Sequence, residues 1–215
     1  MPFYGCTPSD STSARARYRT LIVSAFCMAC AVVVGVLSAA AQDVDVSSGT
    51  RLESVMALIR ARDAKAGPEL AARFDAEPQP GIRAWIVRGE GVLKAAEGPA
   101  LFKKALGDTS AIVRLAAVDA LAQTVGPSSV ADLNAAMAVE TSAGVRHTIA
   151  SWLGTFKTAA SRTALQQALT GDKDPNVRVQ AARSLKQHGT GAARQALKAA
   201  KNDPDGRVRG IANEP

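Results

Sequence analysis

Cysteine, histidine and aromatic side chains are scarce in this chain of 215 residues. Its three cysteines, Cys6, Cys27 and Cys30, stand near the N-terminus, and 4% of the residues are aromatic. A chain that loses this segment keeps no cysteine, which excludes a disulfide framework, a cysteine metal site and a thiol nucleophile. The two histidines, His147 and His188, have no partner at the spacing of a metal site or a catalytic triad. The sequence therefore predicts a protein that is not an enzyme and binds no cofactor.

The opening segment has the pattern of a secretory signal. Three arginines, the last of them Arg19, precede an apolar run over residues 21–37, and Ala39 and Ala41 then provide small residues at the peptidase positions. We expect a signal peptide over residues 1–41, a linker over 42–49 and export, most simply to the periplasm. The alternative is an uncleaved anchor in the inner membrane formed by residues 21–37, since this run is longer than the usual signal core.

Five arginines, each preceded by valine or isoleucine, recur at nearly constant intervals. They are Arg83, Arg114, Arg146, Arg178 and Arg209, separated by 31, 32, 32 and 31 residues, and a further step of 32 backward reaches Arg51. Small or apolar residues three and four positions later, and in most units leucine at seven, form one face of a helix. A second helical segment, such as "AASRTALQQAL", lies between successive arginine helices. The pattern predicts an all-α solenoid of about five stacked antiparallel hairpins over residues 50–215, the last one truncated.

The stretches "LTGDKDPNVRVQAARSL", "LGDTSAIVRLAAVDAL" and "KNDPDGRVRGIA" resemble HEAT repeats of the short, phycobilin-lyase-like type. The resemblance covers roughly residues 65–213 and implies an α-solenoid that binds other proteins. Two enzyme families share such repeats, the deoxyhypusine hydroxylases and the phycobilin lyases. The iron chemistry of the former depends on histidine–glutamate pairs, which have no counterpart where Thr148 follows His147 and Gly189 follows His188.

One unit departs from the pattern. Glu90 stands where the other units have leucine, and Gly89 and Gly91 flank it. Because glycine weakens helices and a carboxylate is costly in a core, we expect a bend or a loop here.

The repeated arginines are expected to be structural. A side chain offered once per unit forms a ladder that reaches carboxylates or carbonyls of the adjacent repeat, and the family resemblance implies the same role. Asp172, Asp174 and Asp203 precede the arginine helices and are expected to cap them. The predicted ladder comprises these three aspartates with Arg83, Arg114, Arg146, Arg178 and Arg209.

Charge is distributed unevenly along the chain. Residues 157–215 contain 11 basic and 5 acidic residues, whereas residues 42–156 contain 12 basic and 13 acidic ones. The basic region is consistent with an acidic protein partner, with anionic lipid, or with a solvated surface. Nucleic acid is a weaker alternative, because this region has no aromatic residue for base stacking.

We expect the second helix of each unit to line a concave binding surface. Residues two, five and six positions after each arginine are expected to reach it. The candidate contacts are Trp85, Arg88, Asp119, Trp152, Gln180 and Arg183, together with Ser184. Trp and Arg are the residue types that anchor interfaces, although Trp152 could equally fill the core.

Overall fold

Residues 46–214 of the chain are described by the computed structural model. They form eleven α-helices and one short 3-10 helix, with no β-strand among them. The α-helices are α1 (Val46–Ala61), α2 (Ala66–Phe74), α3 (Pro80–Leu93), α4 (Gly98–Ala105), α5 (Ala111–Val125), α6 (Val130–Val139), α7 (Ala143–Phe156), α8 (Ala159–Gly171), α9 (Pro175–His188), α10 (Gly191–Lys198) and α11 (Gly206–Asn213). The 3-10 helix, Gly126–Ser129, leads into α6.

The helices stack as five antiparallel hairpins that follow α1. The pairs are α2 with α3, α4 with α5, α6 with α7, α8 with α9, and α10 with α11. Each hairpin packs on the next, so that valines and leucines of all the arginine helices contribute to one continuous core. The predicted all-α solenoid of about five repeats is confirmed.

Aspartate side chains cap the N-termini of two arginine helices. Asp174 is the N-cap of α9, and its carboxylate accepts a hydrogen bond from the backbone amide of Asn176. Asp205 is the N-cap of α11 and accepts one from the backbone amide of Arg207. These carboxylates satisfy backbone N–H groups that have no partner within the helix. The expectation that Asp172 and Asp203 cap these helices is wrong. Each stands two residues before the true cap, and its carboxylate binds an arginine of the preceding hairpin.

The unit around Arg83 is a regular helix and contains neither a bend nor a loop. Helix α3 continues from Pro80 to Leu93 through Gly89, Glu90 and Gly91. The expected interruption is therefore wrong. Gly89 is required by close packing, since a Cβ at this position would come within 2.7 Å of the Ile59 side chain. Glu90 is completely buried and occupies the core position that leucine fills in later repeats.

The arginine helices form the more closely packed of the two layers. They contact one another extensively, whereas the other helices of successive hairpins touch only slightly. Small residues permit this approach: a Cβ on Gly154 of α7 would come within 2.5 Å of the Ser184 hydroxyl on α9. Because a stack of two layers curves toward the more closely spaced one, the arginine helices line the inner face. These helices are the second of each hairpin and carry the candidate contact residues, so the binding surface expected there stays a prediction for this layer.

The predicted signal peptide and the alternative membrane anchor lie outside the described residues. So does the first half of the predicted linker. Its second half is not a linker, because α1 begins at Val46. The described residues from Arg51 onward form one compact unit, and the five hairpins belong to it. Over residues 46–214, no helix is long and apolar enough to cross a membrane.

Candidate functional site

Five arginines form an ion-pair ladder along the turns of the solenoid. Four of them bind both oxygens of a carboxylate in the next hairpin through Nε and Nη2, at 2.7–3.0 Å. These pairs are Arg83 with Asp108, Arg114 with Glu140, Arg146 with Asp172, and Arg178 with Asp203. The Nε of Arg51 donates to the Glu77 carboxylate in the next hairpin at 3.0 Å. The ladder thus clamps each hairpin to its neighbour with charge-assisted hydrogen bonds.

The four arginines from Arg83 to Arg178 also donate hydrogen bonds to the turn that precedes their own helix. In Arg146, for example, Nη1 donates to the carbonyl oxygens of Glu140 and Thr141 at 3.1 and 3.0 Å. The carboxylate of Glu140 at the same time accepts from Arg114 and from the backbone amide of Ser142. One acidic residue therefore joins two consecutive arginines, through its side chain to one and its carbonyl to the other.

These contacts lower the pKa values of four ladder carboxyls, namely Asp108, Glu140, Asp172 and Asp203. The hydrogen bond from Arg114 lowers the pKa of Glu140 and outweighs its burial, and Arg178 has the same effect on Asp203. For Asp172, burial alone would raise the pKa, but hydrogen bonds from Arg146 and from the Asp174 amide reverse the direction. Since these pKa values lie below those of the unfolded chain, the ladder stabilises the fold above about pH 4 and loses this contribution as the pH falls further.

The acidic partners were only partly found by sequence reasoning. Glu77, Asp108 and Glu140 were missed, although a regular signal for them exists. Each acidic residue of the ladder stands six positions before the next arginine. The offsets can be read from Glu77 and Arg83, and from Asp203 and Arg209. The offset alone does not show which arginine binds each carboxylate. The structure shows that it is the arginine of the previous repeat.

Arg209, the last predicted member of the ladder, differs from the others. Its Nη1 donates to the carbonyl oxygens of Asp203 and Pro204 at 2.6 and 2.9 Å, as in the four rungs from Arg83 to Arg178. Its Nε and Nη2, however, meet no carboxylate among the described residues.

Trp85 and Arg88 lie together on the exposed side of α3. Trp85 is 39% exposed, and the Arg88 guanidinium stands over its ring at 5.7 Å from the centroid, within the range of a cation–π contact. Val92, one turn further along the helix, is 55% exposed. We call these three residues the α3 patch. It combines an aromatic ring, a cation and an aliphatic side chain on the inner layer.

Asp119 and Trp152 are joined directly across neighbouring arginine helices. The indole Nε1 of Trp152 donates to the Asp119 carboxylate at 2.9 Å, and its ring stacks on Phe156 at 6.1 Å. Trp152 is half-buried and packs against the core with one side. Trp152 therefore contributes to the core with one part of its side chain and leaves the other part accessible.

Of the three candidate contact residues on α9, one is exposed, one is half-buried and one is buried. Arg183 is exposed and has no carboxylate partner among the described residues, whereas Gln180 is half-buried and donates to the Ser184 hydroxyl at 3.3 Å. Ser184 is 1% exposed and donates to the carbonyl of Ala150 on α7. The expectation that Ser184 faces the groove is wrong, because the sixth position after the arginine lies in the packed contact between inner helices.

The two histidines and the acidic residues are not assembled into a metal site. His188 is buried, with its Nε2 at 3.2 Å from the carbonyl oxygen of Leu153, and His147 is half-buried on a different helix. Over residues 46–214, no three histidine, cysteine, aspartate or glutamate side chains are placed to hold a metal ion together.

A cavity of about 710 Å³ lies in the outer layer between α6 and α8. Its walls consist largely of small side chains such as Ala138, Ala160 and Ala164. Four charged side chains line it: Arg146 is bound to Asp172 and Glu140 to Arg114, whereas Lys173 has no ion pair among the described residues. The α3 patch differs from this cavity in presenting an exposed aromatic ring with a cation over it.

Comparison with known proteins agrees with the repeat architecture. Residues 134–214 match the family model of HEAT repeats. No curated protein sequence matches the chain. Among solved structures, human deoxyhypusine hydroxylase in complex with glycerol is similar over 79% of this chain and 78% of its own, at 21% sequence identity and a TM-score of 0.41.

Proposed function

We propose that this chain, whose residues 134–214 match HEAT repeats, is a scaffold that binds a partner protein on the inner face formed by its arginine helices. The α3 patch carries this proposal. Tryptophan and arginine are among the residue types enriched at the energetic centre of protein interfaces. In a solenoid whose other large hydrophobic side chains are mostly buried, this surface is the best candidate for an anchor.

The neighbouring repeats supply polar contacts for the same face. Asp119 and Trp152, which are half-buried and hydrogen-bonded to each other, lie on α5 and α7, the next two helices of the inner layer after α3. Arg183 is exposed on α9, the helix that follows. A hydrophobic anchor followed by polar and charged positions resembles the division of interfaces into an apolar centre and a polar rim. We further propose that the partner is a protein of the cell envelope, in keeping with the export that residues 1–41 predict.

Replacing Trp85 and Arg88 by alanine is expected to reduce capture of the partner at least about tenfold, because two anchor residues are lost together. Both side chains are exposed, so the variant should retain the helix content and thermal unfolding of the parent chain. The full chain serves as bait in envelope extracts, and the captured proteins are identified by mass spectrometry.

The matched control is Val139→Ala on the outer layer. Val139 is 80% exposed, so this change also removes an exposed apolar side chain, but from the opposite layer. Equal capture by the double variant and the parent chain would contradict the proposed site, as would an equal loss in the control.

A further inference from the structure

We propose that Arg209 is a preorganised receptor for a carboxylate, and that an acidic segment of a protein partner docks there on the last hairpin, α10 and α11. This site lies on a different hairpin from the α3 patch and does not depend on it. The proposal follows from comparing equivalent arginines within the chain itself.

The guanidinium of Arg209 is held in the conformation that binds carboxylates elsewhere in the ladder. In four earlier rungs, Nη1 is fixed by the carbonyl oxygens six and five positions before the arginine, and Arg209 makes the same two bonds. In those four rungs, the opposite edge of the guanidinium binds both oxygens of an aspartate or glutamate. Arg209 thus presents the same edge with its orientation already fixed, which reduces the entropy lost on binding.

No carboxylate of residues 46–214 occupies that edge. The five acidic residues of the C-terminal region are all engaged elsewhere. Asp172 and Asp203 bind Arg146 and Arg178, Asp174 caps α9, Asp205 caps α11 and pairs with Arg207, and Glu214 pairs with Lys186. The carboxylate that completes this rung must therefore come from outside the described residues.

Three further exposed cations on the same hairpin as Arg209 favour an acidic segment over a single neutral contact. Arg194 and Lys198 stand one turn apart on α10, Lys201 follows in the next turn, and all three are exposed. None of them has a carboxylate within 4.0 Å among the described residues. Their charge is not compensated locally, so further acidic residues beside the first would be attracted to the same hairpin.

The four guanidinium groups held in the same conformation as Arg209 all bind carboxylates. The equivalent guanidinium edges accept both Asp108 and Glu140, so the rung tolerates either length of acidic side chain. The alternatives are less well matched. Residues 157–214 contain no aromatic side chain on which a nucleic-acid base could stack. A membrane would need a flat cationic surface and would not need one fixed guanidinium.

The test measures binding of a short fluorescent peptide of alternating aspartate and glycine to the full chain by fluorescence anisotropy. A peptide with asparagine in place of aspartate and vesicles of phosphatidylglycerol provide the two reference arms. We expect the aspartate peptide alone to bind the last hairpin, and Arg209→Ala to weaken that binding about fivefold, as for loss of one bidentate charge pair.

Arg60→Ala is the matched control. Arg60, on α1, is also exposed, but no carbonyl oxygens among the described residues hold its guanidinium, so its loss should weaken binding by no more than about twofold through general electrostatics. Circular dichroism checks that both variants fold. The proposal is overturned if the two variants lose affinity equally, if the peptide does not bind, or if the vesicles bind more tightly than the peptide.

Discussion

Glu90→Leu is expected to raise the free energy of unfolding at pH 8 by about 3 kcal/mol, because the native protein buries an ionisable carboxyl at this position. Glu90 is 0% exposed, and neither of its carboxyl oxygens has a hydrogen-bond partner among the described residues. Burial raises its pKa to about 7, with a smaller contribution from the negative charge of Glu97, while the backbone at Ala71 opposes the shift. Leucine fills the equivalent position in later repeats, as Leu121 and Leu153 show.

The same shift predicts how stability depends on pH. Since the folded-state pKa of Glu90 lies above its unfolded value, the native protein holds a proton that the unfolded chain has released between about pH 4.5 and 7. The free energy of unfolding should therefore fall by about 2 kcal/mol from pH 5 to pH 8 on account of this residue. The ladder carboxyls lose their stabilising contribution below about pH 4, and protonated Glu90 loses its own as the pH rises toward 7. We therefore expect maximum stability near pH 5.

Urea unfolding of the parent chain and of Glu90→Gln at pH 5 and pH 8 isolates this effect. All other ionisable groups are unchanged in the variant, so the difference between the two pH dependences reports on Glu90 alone. Glu97→Gln is the control: it removes a neighbouring exposed charge and should leave most of the pH dependence in place. A Glu90→Gln variant that keeps the full dependence of the parent chain would show that Glu90 is not buried as a neutral acid.

Arg146→Ala is expected to destabilise the protein by about 3 kcal/mol or more, because it leaves a buried carboxylate without its partner. The side chains of Arg146 and Asp172 are each 7% exposed, and two hydrogen bonds of 2.7 and 2.9 Å join them. The substitution also frees the carbonyl oxygens of Glu140 and Thr141. Loss of this rung therefore weakens two turns and the contact between two hairpins at once.

Arg209→Ala is the appropriate comparison for Arg146→Ala. It removes an arginine held by the same two types of carbonyl bond, but one that is exposed and has no carboxylate partner among residues 46–214. We expect it to cost less than about 1 kcal/mol in urea unfolding, as for other exposed polar contacts. Adding Asp172→Asn to Arg146→Ala should recover part of the lost stability. Equal effects of the two arginine substitutions would contradict a stabilising ladder.

The repeat architecture could be predicted from the sequence because it depends on local periodicity. An arginine with a small residue and a leucine at fixed offsets specifies one helical face, and its recurrence every 31 or 32 residues specifies the stack. The same offsets could not show which layer packs more closely. Ser184 was therefore expected in the groove although it lies between α7 and α9. Whether a sixth-position side chain is exposed depends on the spacing of neighbouring helices.

Glu90 illustrates a second limit of sequence reasoning. A carboxylate between two glycines weakens the helical pattern, so a bend was the natural expectation. The helix persists because tertiary packing of α3 against its neighbours outweighs local propensity, and because the carboxyl can be buried in its neutral form. Similarly, the bond between Trp152 and Asp119 joins residues 33 positions apart, and it arises only when adjacent repeats are stacked in register.

Site-specific photocrosslinking most directly tests the central claim that a protein partner binds the inner face. A photoreactive amino acid replaces Trp85 in one chain and Val139 in another, and each chain is irradiated in the living cell. We predict one defined protein adduct from position 85, on the inner layer, and none of it from position 139, on the outer layer. The absence of any adduct at position 85, or the same adducts from both positions, would contradict a scaffold that binds its partner through the arginine helices.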